Sequence, residues 1–372
     1  MPIKLTNTGI FVDEEKKVNF PDSLQDLNNL KYLAYQELFL KPFKGKPLFE
    51  KVSPTSFRIP AGFKYKVVNS FIQREENLTI DITTALDTGS VVAGTDYYIY
   101  AKEDTTFFVS ADKTLTTARL IGGFHYGLVP ANEAPTGNKT ESDMVFLRGI
   151  NAYSFWDLKF LPKNGVPEAK VYKNGLWGDI YRGDADYAIR GYGKANAVIA
   201  AGATTYGRAL PKIPTLFAGD GTITYGKLSW LEATDIAIAT GMRLPSYEEF
   251  SMFAYGVVEK TAVNAGVVEK VQGRTQHYAE LMSKLGIEQA TGEQYCWSRN
   301  LVATDGTFAY QDVANGRGQI YASPNNPKAG IFGGFRGGSA DSGSSCSVWS
   351  YHLWSSVWYV GFWFLVDHLE LD

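Results

Sequence analysis

The chain has 372 residues, 45% of them hydrophobic and 20% charged, which excludes a disordered tail or a coiled coil. A formal charge of −3 gives no electrostatic case for nucleic acid. Two cysteines, Cys296 and Cys346, exclude a disulfide-stapled scaffold or a Cys-built zinc site.

In chain order, the N-terminus carries no apolar core of a secretory signal. Leu24, Leu27 and Leu30 form a short helical or turn stripe, and Lys41–Pro47 reads as a Lys/Pro/Gly linker. Strand signals follow at Tyr65–Val68, Leu78–Ile82, Tyr97–Tyr100 and Thr106–Val109, with turns at Asp87-Thr88-Gly89 and Gly94-Thr95-Asp96. Their spacing predicts an antiparallel sandwich. The polar loop Pro130–Asp143 reads as an interdomain connection, after which the pattern turns to α+β. Ser229-x-x-Glu232 opens a helix that Gly241 stops, and Ser246-x-x-Glu249 opens a second that runs to about Gly256. A third helix is predicted over Thr275–Lys284, and none beyond Gly286. The repeat of Gly-Val-Val-Glu-Lys at 256–260 and 266–270 is too short for a solenoid.

Aromatics make up 14% of the chain and are unevenly spread. No Trp precedes Trp156, yet Trp349, Trp354, Trp358 and Trp363 fall near the end. Ser342–Val366 holds no Lys, Arg, Asp or Glu, but its continuously apolar part, Val357–Val366, is roughly half a membrane-spanning helix, so no insertion is expected. Gly191-x-Gly193 lacks the third glycine of a dinucleotide fingerprint, and Ala195 stands where a Walker loop needs Ser or Thr. His125, His277, His352 and His368 lack the local spacing of a zinc site. Cys296 and Cys346 read as buried thiols, with a redox or copper pair as the alternative. Glu248 and Glu249 are accounted for by helix capping, and Asp367 and His368, adjacent on a strand, point to opposite faces. The Gly-rich run Ile331–Asp341 and the Ser, Tyr and Trp mixture up to Val360 have the composition of a binding paratope, with half-buried strand packing as the plainer account.

Thr240–Phe250 resembles the Gly-x-Arg-Leu-Pro-x-x-x-Glu-Phe segment of the formylglycine-generating-enzyme type of C-type lectin fold. Phe332-Gly333-Gly334 and Gly361-Phe362 match the strand marks of that group. The chain is also similar to the major tropism determinant family, phage receptor-binding proteins diversified by a retroelement. That similarity rests on Phe332-Gly333-Gly334, Ser342-Gly343-Ser344, Trp349, Gly361 and Asp367-His368-Leu369. Gly122–Tyr126, Trp156–Phe160, Ala218–Gly221 and Gly316–Gly318 match too, so the resemblance spans roughly 94 to 372.

The resemblance implies an α+β protein. An N-terminal β-rich trimerisation segment to residue 48 and a β-sandwich over 49–140 would precede a C-type lectin domain over 141–372, with its variable region at 331–372. It implies a homotrimer at a phage or prophage tail-fibre tip, joined to other tail-fibre proteins and binding a host cell-surface protein. No enzyme activity, cofactor or nucleic acid is implied, and structural calcium stays open. The carried-over variable positions are Phe335, Gly337, Gly338, Ser339, Asp341, Val348, Ser350, Tyr351, Ser355, Val357, Tyr359 and Val360. Retroelement randomisation of AAY codons cannot yield Trp, Lys, Glu, Gln or Met, and none of these positions holds one. The neighbouring tryptophans therefore read as invariant scaffold. Arg336 and Trp363 stand where the relative has Trp and Arg. The alternatives are a formylglycine-generating-like copper oxidase using Cys296 or Cys346, and a purely structural fibre or cell-surface protein.

Overall fold

A computed structural model describes residues 4–6, 9–13, 16–19, 38–67, 70–264, 273–302, 309–312, 319–322, 327–338 and 342–370. The structure is mostly β with few helices. The first three strands form a small antiparallel sheet. The Leu24–Leu30 stripe and the second Gly-Val-Val-Glu-Lys copy lie outside the described residues.

Two three-stranded sheets follow. One orders Phe39–Leu40, Lys64–Val67 and Ser70–Gln73, the other Glu50–Ser53, Ser56–Ile59 and Leu78–Asp81. Alternating apolar residues let each sheet bury one face. Phe49, Phe57, Phe63, Tyr65, Phe124 and Phe155 meet in one aromatic core. Lys41–Pro47 is not a loose linker: Lys41 Nζ lies 3.1 Å from the buried Asp157 carboxylate, which also accepts from Leu48 N at 2.7 Å. A paired, dehydrated charge fastens the stretch down.

An eight-stranded sheet joins this region to the rest. Its order is Phe107–Ser110, Thr95–Ala101, Arg119–Tyr126, Trp156–Asp157, Phe160–Pro162, Leu365–Glu370, Leu176–Asp179 and Lys170–Lys173. The last strand of the chain thus inserts between two earlier ones, antiparallel to both. Asp367 and His368 do face opposite ways: Asp367 reaches Arg243 at 3.3 Å, while His368 Nδ1 accepts from Trp177 Nε1 at 3.0 Å.

Both predicted capping boxes form. Ser229 and Glu232 cap the helix Trp230–Ala239, and Ser246 and Glu249 cap Tyr247–Ala254. Glu249 also takes two bonds from Arg243, at 2.7 and 2.8 Å, which leaves the pair a structural role. The predicted helix over Thr275–Lys284 is absent. Thr275 N donates to Ala197 O and Asn196 N to Thr275 O, so the chain at Thr275 is satisfied by a distant segment, and the rest of the stretch makes only a single turn, with Met282 N on Tyr278 O. Conversely, the supposed connection Pro130–Asp143 ends in an unpredicted helix, Glu141–Leu147, capped by Thr140 and Asp143. That loop is docked, with buried Lys139 donating to the carbonyls of Gly256, Ala279 and Met282. Among the described residues no helix is long and apolar enough to cross a membrane.

A four-stranded sheet carries the late segment. It orders Ser347–His352, Lys328–Phe332, Tyr295–Val302 and Val360–Gly361, the last pairing parallel to Tyr295 and Cys296.

Candidate functional site

The site is built on a buried floor. Beyond the strand Lys328–Phe332, Gly333 and Gly334 take φ of 101° and 83°, values that side-chain-bearing residues rarely adopt. The chain thereby turns so that Arg336 points inward. The Glu293 carboxylate, itself fully buried, receives Arg336 Nη2 at 2.9 Å and Arg208 Nη2 at 2.8 Å. Burial opposes the charge on both guanidiniums. At Arg336 the Glu293 carboxylate outweighs burial and raises the pKa, whereas at Arg208 burial prevails and lowers it. The backbone repeats the anchor, with Arg336 N on Glu293 O and Gly337 N on Val263 O. Trp363, the other exchanged position, is buried between Phe250 and Phe253 and donates Nε1 to Asp179 O at 2.6 Å.

Above the floor lies an aromatic face. Phe335 and Tyr359 meet at 5.2 Å between ring centres, and the Tyr351 and Tyr359 hydroxyls are hydrogen-bonded to each other. Burial first, then the Tyr359 hydroxyl, pushes the Tyr351 hydroxyl upward in pKa, keeping it protonated. Trp358 abuts both Phe335 and Tyr359. Beside Val348 opens a cleft of about 540 Å³ lined by Glu259, Tyr295, Ser342, Cys346 and Ser347. Glu259 shapes it by accepting from Ser344 N at 2.9 Å and Ser344 Oγ at 2.5 Å.

The structure gathers Phe335, Tyr351 and Tyr359 into one cluster. Gly338 lies against the Phe335 ring; Gly337, Gly338, Val348, Ser355 and Val357 are half-buried, and Ser350 is exposed. Val360 sits apart: it is fully buried, packed in the main core rather than on the surface. Ser339 and Asp341 lie outside the described residues. The tryptophans are not uniformly scaffold either, since Trp363 is buried whereas Trp354 and Trp358 are half-exposed and Trp349 is exposed.

Cys296 is buried, which raises its thiol pKa, and Cys346 is half-buried with Sγ 3.9 Å from the Tyr295 hydroxyl. His125 bridges Asp96 and Tyr181, and His277 bridges Glu133 and Glu288. Among the described residues no three His, Cys, Asp or Glu side chains converge as metal ligands would. Sequence reasoning missed Glu293, Arg208 and Tyr206. No local motif marks them, because their partners lie far away in the chain.

Over 377 aligned residues the sequence is 31% identical to the tail fiber receptor-binding protein of Bordetella phage BPP-1, covering 98% of this chain and 92% of that protein. The chain belongs to the major tropism determinant family. Residues 47–157 match the family described as Mtd second domain. Among solved structures, the Major Tropism Determinant M1 variant aligns with a TM-score of 0.79 and 29% identity, covering 98% of this chain and 93% of that one. The P3c variant aligns with a TM-score of 0.78 and 29% identity over 97% of this chain and 92% of that one. The fold is therefore the α+β, C-type lectin architecture of this family. The likeness also reaches further than the expected 94 to 372, into residues 1–90.

Proposed function

We propose that this chain is the receptor-binding protein at the tail-fibre tip of a phage or prophage. It binds a host cell-surface protein through the face around Tyr351, Tyr359 and Phe335. The observation that carries this reading is that Phe335, Tyr351 and Tyr359, three of the positions the resemblance marks as variable, meet on one aromatic surface over a buried ionic floor. Fixed strands and capped helices hold geometry while surface side chains change at little energetic cost. We read the chain as a homotrimer attached to other tail-fibre proteins, its repeated faces adding avidity to weak single contacts. The division at 1–48, 49–140 and 141–372, the formylglycine-generating-like subtype, diversification by a retroelement and the absence of enzyme activity belong to the same reading. Against an oxidase built on Cys296, burial holds that thiol protonated, the opposite of what a thiolate metal ligand or nucleophile needs.

The test is a Tyr351→Ala/Tyr359→Ala double variant of the full chain. The variant is expected to keep its oligomeric state by light scattering and to lose adsorption to permissive cells. Unchanged adsorption would sink the assignment.

A further inference from the structure

The loop 203–207 lies outside the segment that holds every exchangeable position. It runs alongside the loop 354–360: Gly202 N donates to Val357 O at 3.1 Å, and Ser356 Oγ donates to Gly202 O at 2.6 Å. A Cβ on Gly202 would fall 2.3 Å from Val357 N, so only glycine permits this approach. Thr204, Thr205 and Gly207 are exposed, and Tyr206 is half-exposed.

Tyr206 has φ 63° and ψ 29°, the left-handed region in which a bulky residue is an outlier. Such strain persists only where surrounding structure imposes it, and it concentrates at functional sites. The imposing contacts are visible. The Tyr206 ring meets Trp358 edge-on, 4.6 Å between centres at 71°. Two residues on, the Arg208 guanidinium lies 5.8 Å over the same Trp358 ring while bonded to Glu293. Trp358 in turn touches Phe335 at 6.1 Å and Tyr359 at 5.2 Å. The aromatic surface thus runs unbroken from Tyr351 through Tyr359 and Trp358 onto Tyr206. The loop's own composition, Ala-Thr-Thr-Tyr-Gly, has the small polar residues and rigid Tyr suited to contact surfaces. Core packing gives no reason to keep a tyrosine in a conformation that glycine adopts freely.

We propose that the loop 203–207 is a fixed second arm of the receptor-binding face, with Tyr206 in direct contact with the host protein. Trp358 joins that arm to the exchangeable positions. The inference rests on the receptor-binding reading above. Its consequence is a contact that persists whatever residues occupy the exchangeable positions.

The test compares full-length Tyr206→Gly with the Tyr351→Ala/Tyr359→Ala variant, measuring melting temperature and adsorption rate for each. Tyr206→Gly removes the ring and gives the backbone a residue suited to φ 63°. Melting is expected to stay level or rise, while adsorption falls by about tenfold or more, the scale of a hot-spot contact. Tyr206→Phe, which keeps the ring, should stay within about threefold of the parent, well under the tenfold of a hot-spot loss. If Tyr206→Gly adsorbs normally while the double variant does not, the arm is overturned and the receptor-binding reading stands. Parallel losses of melting temperature and adsorption assign Tyr206 to packing and overturn the arm as well. Normal adsorption by both variants removes the receptor-binding reading and the arm together.

Discussion

Two stretches of the same aromatic segment lie side by side in sequence and do opposite work. Val360–Val366 is buried throughout, whereas from Ser347 to Tyr359 only Leu353 is buried. In the first, Phe362 and Phe364 stack at 4.8 Å and Tyr187 meets both edge-on. A Cβ on Gly183 would come within 2.0 Å of the Phe362 ring, so nothing there can be enlarged. In the second, Tyr359 meets Tyr351, Trp358 and, from an earlier loop, Phe335, and all four are half-exposed. Aromatic richness therefore has two causes: close packing that fixes the fold, and side chains presented at the surface.

If that division is right, the floor is where substitution hurts most. Glu293→Ala leaves Arg208 and Arg336 buried without a counter-charge. Removing one partner of such a group costs about 3–5 kcal/mol, so melting should fall by many degrees and adsorption with it. A variant melting like the parent would show that the two loops are held by packing alone.

The His277 clasp is a second anchor. Its imidazole lies 2.6 Å from Glu133 and 2.9 Å from Glu288, tying the loop 130–143 to the lectin region. Burial lowers its pKa, but bonds and charge from Glu288 and then Glu133 outweigh burial and raise it from 6.5 to about 9. A raised folded-state pKa means the contribution is complete below 6.5 and drains away as pH rises toward 9. The shift corresponds to about 3 kcal/mol at most. The melting deficit of His277→Gln should be largest near pH 6, on the order of that bound, and should close by about pH 9.5. Lys139 nearby works the other way. Burial lowers it to about 8, so its share of stability grows as pH climbs from 8 to 10.5. Parent and variant must therefore be compared at each pH. A deficit that does not narrow would break the clasp argument.

What was legible in the sequence follows the range of the interactions. Ser246 and Glu249 sit three residues apart, so their cap could be read directly, and Ser246→Ala should cost about 1 kcal/mol in thermal melts with adsorption unchanged. A shift of several kcal/mol would mean that Ser246 does more than cap. The helix Glu141–Leu147 escaped because its reciprocal partner is Asp143 rather than Glu or Gln, inside a stretch that read as loop. Thr275–Lys284 failed for the converse reason, as apolar spacing cannot show that Ala197 will claim Thr275 N. Glu293 pairs with Arg208 across 85 residues and with Arg336 across 43, so the floor was invisible to any local pattern. The face was half legible. Its composition marked it, but only the fold separates half-exposed Trp358 from buried Trp363, or Ser350 from Val360.

Ser350 and Val360 therefore give the finest test of the division between floor and face. Both are carried-over exchangeable positions, yet Ser350 is exposed on the strand Ser347–His352 while Val360 is fully buried beside Tyr295. An exposed strand position tolerates an aromatic, which has good β propensity and meets only solvent. Ser350→Tyr should leave melting within about 0.5 kcal/mol of the parent, while the adsorption rate or the range of cells adsorbed changes. If melting drops by more than that, Ser350 is packed against something, and the face cannot vary independently of the fold. If melting and adsorption both stay put, Ser350 lies on the face without touching the receptor, and the contact region contracts toward Tyr351, Tyr359 and Phe335.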